Sequence, residues 1–308
     1  MDVLAEVERS GFVESRHRGV AVRVDPSGQV DWAVGDPGAV IFPRSSNKPL
    51  QAIGLLRAGL PLDGRLLAVA TSSHSGEPVH VEAVREVLGL AGLDESALLT
   101  PPSYPLDPHE HARVLREGGG RAPILMDCSG KHAAMLLTCR EHGWPVDDYL
   151  APEHPVQQAV TAAFVDLTGS APEVVGTDGC GAPLLGTTVA GLAAAFGRIV
   201  RRSTPESARL VDAMVAHPQM VSGSRRTERR FMEAFGGAIV KSGAESVLAM
   251  ALPDGTAWAV KIEDGGERAL YVALARALQV AGLDHPLLDE RPEVLGGGRP
   301  VGAVRPTF

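Results

Sequence analysis

The sequence predicts an α+β domain in which strands from both ends of the chain share one antiparallel sheet and helices fill the middle. Three observations point there. "GVAVRVDPSGQVDWAVG", residues 19–35, alternates valines with polar residues about Pro26 and Gly28, which makes a hairpin with one buried face. "PVHVEAVREVLGLAG", "GKHAAMLLTCREHG", "HPVQQAVTAAFVDLTG" and "APLLGTTVAGLAAAFGRIV" place apolar residues at helical spacing through the centre. Near the end, "GGAIVKSGAESVLAMALPDGTAWAVKIEDGG" reads as antiparallel strands with a turn at "LPDGT", and "ERALYVALARALQVAGL" as an amphipathic helix.

The remaining segments fall between these. "PLQAIGLLRAGL" is a helix with Pro49 in its first turn. "RLLAVATSS" reads as a short apolar strand. Neither a repeat nor a linker interrupts the chain, so residues 1–308 form a single domain with a helical subregion over about 78–235. The closing "VLGGGRPVGAVRPTF", rich in Gly and Pro, is expected to be an irregular tail lying on the surface or on a partner subunit.

A chain of 308 residues with 44% hydrophobic content can bury a large core. Its formal net charge of −8 argues against nucleic acid, whose phosphates call for a basic face, and favours a small-molecule partner. "MDVLAEVERSG" has neither the basic nor the apolar region of a secretory signal, so a cytoplasmic location is expected. The longest uncharged window, between Asp178 and Arg198, holds Pro183 and several glycines and is no membrane span.

The chemistry gathers on serines and lysines. In "RSSNKPLQ", residues 44–51, Lys48 stands three residues after Ser45, a spacing that puts hydroxyl and amine on one face of a helical turn. A serine attacks only when something takes its proton, and a lysine does so only when desolvation or a neighbouring cation lowers its pKa. Alone, the pattern is also that of a helix N-cap. Lys241-Ser242-Gly243 matches the Lys-[Ser/Thr]-Gly element that accompanies Ser-x-x-Lys in penicillin-recognising enzymes, although the Ser-Asp-Asn element of those enzymes is not seen. "TSSHSGEP" adds Ser72, Ser73, His74 and Ser75 where a strand is expected to give way to a loop, or a polar cap for the helix at Pro78.

Three cysteines cannot all pair with one another. Cys128 precedes Lys131 and His132 at a helix start, and Cys180 follows Asp178 in a glycine-rich turn, so two loops bring thiols that either hold zinc or are buried free. Cys139 reads as core. No His-Glu-x-x-His pattern groups the histidines, and neither "GGG" has the setting of a phosphate loop.

"RSSNKPLQA", "TSSHSGEP", "DCSGKHAAM", "HPVQQAV", "GTDGCGAP", "HPQMVSG", "IVKSGAE" and "VKIEDG" follow one another as in the class 3 L-asparaginases, the thermolabile asparaginase II family, which this chain resembles over nearly its whole length. The resemblance implies a fold similar to serine β-lactamases and glutaminases, a homodimer, and hydrolysis of L-asparagine to L-aspartate and ammonia. It implies two tandems, Ser45 with Lys48 and Ser73 with Lys241, and a zinc ion (Zn2+) held by Cys128, Lys131 and Cys180. Arg44, His132 and Asp178 become groups beside the ion or the substrate. In this reading Ser45 attacks and Lys48 takes its proton while Ser73 and Lys241 relay protons, or Ser73 and Ser45 exchange roles. Asp127 stands where the family pattern has asparagine, and "KSGAES" is closer to the glutaminase version of its strand. A glutaminase, a penicillin-recognising serine hydrolase and a catalytically silent zinc-binding protein of the same fold remain the alternatives.

Overall fold

The computed structural model describes residues 1–308. The chain opens with strands β1 (Asp2–Arg9), β2 (Phe12–Val24) and β3 (Val30–Val34), followed by the two-residue strand β4 (Val40–Ile41). The turn between β1 and β2 takes Ser10 and Gly11 to positive φ, 51° and 80°, which suits a two-residue hairpin. β2 and β3 pair antiparallel around the "DPSG" turn, where Gly28 has φ 87°.

Helices then follow: α1 (Lys48–Arg57), α2 (Gly64–Ala70), α3 (Pro78–Leu90), α4 (Pro108–Arg116), α5 (Ser129–His142) and α6 (Pro155–Thr168). A ribbon of β5 (Val175–Thr177) and β6 (Pro183–Leu185) interrupts them, and β7 (Thr187–Thr188) pairs with β4. The helices resume as α7 (Val189–Val200), α8 (Pro205–Ala216), α9 (Pro218–Val221) and α10 (Thr227–Ala234).

The sheet is completed by β8 (Ile239–Gly243), β9 (Val247–Ala251) and β10 (Ala257–Ile262), then α11 (Leu270–Val280), β11 (Glu293–Gly296) and β12 (Arg299–Pro306). Its eight strands run β11-β12-β1-β2-β10-β9-β8, with β3 attached to β2, and every pairing is antiparallel. Every residue of β8 and β9 is buried. Consecutive side chains of a strand point to opposite faces, so a strand buried throughout must be covered on both. α7 packs on β2, β9 and β10, and α11 on β1, β2, β10 and β12. No helix is long and apolar enough to cross a membrane.

Three expectations need correcting. "RLLAVA" is helix α2, not a strand: periodicity cannot separate the two for a short apolar run, and here the run packs among α3, α5 and α8. "APLLGTTVAGLAAAFGRIV" spends its first residues on β6 and β7 before α7 begins. The C-terminal stretch is no irregular tail. Gly297 and Gly298, both at positive φ, turn β11 into β12, and β12 pairs with β1 from Arg9↔Gly302 to Ala5↔Pro306.

Two glycines set how closely the site-bearing segments approach. A Cβ on Gly130 would lie 2.3 Å from Val69 O, so only glycine lets the start of α5 rest on α2. A Cβ on Gly243 would lie 2.6 Å from Pro43 O and 2.9 Å from the nitrogens of Ser45 and Ser46. Gly243→Ala is therefore expected to push the Ser45 turn off β8, costing about 1–3 kcal/mol of stability and lowering kcat about 100-fold through misplacement of the site. Urea unfolding and steady-state kinetics on the purified variant check both figures.

Candidate active site

The first tandem forms where a 3-10 turn, Arg44–Asn47, runs straight into α1. Lys48 is the first residue of α1 and keeps helical backbone angles (φ −58°, ψ −36°) although Pro49 follows it. Arg44 sits at φ +50°, a left-handed conformation that costs a residue with a side chain of order 1–3 kcal/mol. Its guanidinium Nε donates to Asp178 Oδ1 at 2.8 Å, which fixes the strained turn against the β5–β6 ribbon.

α2 ends at Ala70, and the chain leaves it as Thr71-Ser72-Ser73-His74-Ser75, all buried. This polar stretch is threaded between neighbours: Ser73 N–H donates to Val221 O, His74 N–H to Asp127 O and Ser75 N–H to Ser222 O. It does not cap α3, whose N-cap Glu77 makes no side-chain capping bond.

The two lysines meet on one hydroxyl. Lys48 Nζ donates to Ser72 O and to Ser73 Oγ, the latter at 3.0 Å, and Lys241 Nζ donates to Ser73 Oγ at 2.9 Å and to Ser242 O at 2.8 Å. Lys48 and Lys241 are 1% and 0% exposed. Burial and the nearby Lys48 charge lower the Lys241 pKa to about 7. Asp127 Oδ2 lies 3.6 Å from Lys48 Nζ. Burial opposes its ionisation, yet Lys48, His74 and Lys241 hold its carboxyl below the usual range.

Ser45 lines the same cavity but enters none of these hydrogen bonds; Lys48, expected to face it, turns instead to Ser73. The cavity has a volume of about 180 Å³ and includes Arg44, Ser45, Ser73, Asp127, Asp178 and Gly243 in its wall. The backbone amides of Ser46 and Ser73 are spent on Pro43 O and Val221 O and are not free to meet a charged oxygen.

The expected metal residues also converge. Cys128 stands at the N-cap position of α5 without a side-chain capping bond, Lys131 lies one turn in, and Lys131 Nζ donates to Cys180 Sγ at 3.2 Å. A hydrogen bond from Cys128 holds Cys180 well below the usual thiol range and raises Cys128. Burial opposes the Lys131 charge, but Cys180, Cys128 and Asp178 keep it protonated. His132 is fully buried behind this wall; its Nδ1 bonds Tyr149 Oη at 2.7 Å and its Nε2 has no partner, the ring facing Cys180. Two thiols and an unpartnered imidazole nitrogen are donors of the kind zinc takes, though they are not gathered round one point. No group of three His, Cys, Asp or Glu side chains stands ready to hold an ion, so Lys131 completes the set only by giving up its proton.

Sequence reasoning missed one group at this site. Glu228, at the start of α10, is 1% exposed; its Oε1 accepts from Ser242 Oγ and from Arg226 Nη2. Nothing in "SRRTERR" distinguishes it from a solvated charge run, and it is buried only because α10 packs on β8.

The family model described as L-asparaginase II matches residues 5–306. No curated protein matches the chain. A β-lactamase (Mb2281c) from Mycobacterium bovis is 17% identical over 85% of this chain and 94% of its own, with TM-score 0.49. A Bacillus glutaminase is 14% identical over 86% and 91%, with TM-score 0.38. An Mglu in its native form is 16% identical over 89% of this chain and 65% of its own, with TM-score 0.38.

Proposed function

Because the chain belongs to the L-asparaginase II family and is thereby an amidohydrolase, we propose that it hydrolyses L-asparagine to L-aspartate and ammonia through an ester on Ser45. The observation that carries this reading is the buried Lys48–Ser73–Lys241 chain beside a serine hydroxyl that no other group engages. A hydroxyl has one proton to give and two lone pairs. With two lysines bonded to its oxygen, Ser73 is suited to pass protons rather than to attack.

Near neutral pH a good share of Lys241 is free amine and accepts the Ser73 proton, while Ser73 accepts one from Lys48. That shift leaves Lys48 neutral three residues from Ser45, where it serves as general base. Ser45 Oγ attacks the amide carbon as its proton passes to Lys48. The tetrahedral adduct then loses ammonia, the C–N bond breaking as Ser73 protonates the leaving nitrogen. Water hydrolyses the aspartyl ester and the proton chain resets.

Ammonia release measured with L-asparagine, L-glutamine and D-asparagine, together with nitrocefin colour change, tests this. Fastest turnover on L-asparagine is expected. A preference for L-glutamine makes the protein a glutaminase, nitrocefin turnover a penicillin-recognising hydrolase, and silence on all four a zinc-binding protein without catalysis.

Cys128, Lys131 and Cys180 would hold a zinc ion, with Asp178 and His132 beside it. When bound, the ion supplies a Lewis-acidic brace that fixes the cavity wall on which substrate rests, since Ser45 already provides the nucleophile. Chelation is expected to raise KM with kcat little changed; a collapse of kcat at constant KM contradicts that role.

A further inference from the structure

The residue that follows Lys241 ties the proton relay to a buried anion. Ser242 O accepts from Lys241 Nζ at 2.8 Å, and Ser242 Oγ donates to Glu228 Oε1. Ser242 thus holds the amine with its carbonyl and is itself held through its hydroxyl. Arg226 Nη2 donates to the same Oε1 at 3.2 Å, and the Tyr271 hydroxyl, from α11, stands within hydrogen-bonding range of both Glu228 and Ser242. Burial opposes ionisation of Glu228, yet Arg226 and Lys241 hold its carboxyl below the usual range.

A buried ion gains little stability over a well-packed neutral group, so the fold alone does not account for a carboxylate here. The charge matters to what lies on the far side of Ser242. When Ser73 passes its proton to Lys241, the amine becomes a cation in a space already shared with Lys48. The charged groups facing it are Lys48 from α1, Glu228 and Arg226 at the start of α10, and Asp127 ahead of α5. Arg44, on the turn packed against β8, is taken up by Asp178. Glu228 is therefore one of two anions that meet this cation, and the one joined to it through a single residue.

We propose that Glu228 is a positioning residue for the relay: acting through Ser242, it aims the Lys241 amine at Ser73 Oγ and balances the charge that the amine takes up. The inference rests on the hydrolase reading and adds to it a group outside the wall of the cavity that holds Ser45.

Glu228→Gln keeps the shape of the side chain and removes its charge. It is expected to lower kcat about 10–100-fold and to lower it no further once Lys241→Met is in place. The acid limb of the pH profile is expected to move to lower pH by about 1 unit, because protonation of Lys241 becomes harder without the carboxylate. A limb still near 7, or the same fold-loss in both backgrounds, is what a merely structural role gives, and either result overturns the proposal. Should Glu228→Gln not fold, Ser242→Ala decides, since it keeps the carboxylate and cuts the link. Its kcat must fall about 10-fold in the wild type and not in Lys241→Met; an unchanged kcat, or an equal fall in both, overturns the proposal. If wild type releases no ammonia from any amide, the hydrolase reading fails by itself. An NMR titration of the Lys241 ε-methylene, assigned by its absence from Lys241→Met, needs no turnover and still tests Glu228: a midpoint lower in Glu228→Gln than in wild type sustains the link, and an unmoved midpoint ends it.

Discussion

Ser45→Ala is expected to lower ammonia release from L-asparagine by about 10⁴–10⁶-fold, the loss that removal of a covalent nucleophile produces. The turn carrying Ser45 is held by the Arg44–Asp178 ion pair and by its seat on Gly243, and neither uses the hydroxyl, so the variant should keep its fold. Ser73→Ala is expected to cost less, about 10²–10⁴-fold, because it removes a proton relay. Hydroxylamine trapping followed by peptide mass mapping locates the ester. An adduct on Ser73, with Ser45→Ala still able to form it, would reverse the two roles.

The second large effect concerns Lys241. Lys241→Met is expected to lower kcat about 10²–10⁴-fold and to remove the acid limb of the pH profile. In the wild type that limb should lie near 7, since the relay needs Lys241 as free amine and the amine forms as pH rises through its pKa of about 7. Stability carries the same signature. An unfolded lysine stays protonated to about pH 10.4, so folding releases a proton between about 7 and about 10 and stability rises with pH across that window, a slope absent from Lys241→Met. A variant that keeps both the limb and the slope excludes Lys241 as their source.

The residues explain what could be read in advance. The β2–β3 hairpin was legible because valines alternate around a turn with Pro26 and Gly28, and Lys241 was placed on a late strand because apolar residues flank it. Ser45, Lys48, Ser73 and Lys241 were named by motif, and folding does bring both lysines to Ser73. What the motif did not show is that Lys48 favours Ser73 over its own neighbour Ser45, a choice made by the path of the chain leaving α2. α2 itself was lost because a run of five apolar residues, Leu66 to Ala70, fits helix and strand alike. β11 and β12 were hidden by Gly297, Gly298 and Pro300, residues that composition assigns to loops and that the structure uses for one tight hairpin at the sheet's edge.

β1 and β12, neighbours in the sheet, are separated by nearly the entire chain, and β2 finds β10 only after more than two hundred intervening residues. Contacts of such long range form late and slowly, because loop closure must precede any reward. On the ribosome, the helical segments therefore emerge with half a sheet waiting for its other half, and the polar stretch after α2 waits with it. The bond from Lys241 to Ser73 exists only once the late strand β8 has arrived, so the buried lysine pair is completed at the end of synthesis rather than gradually.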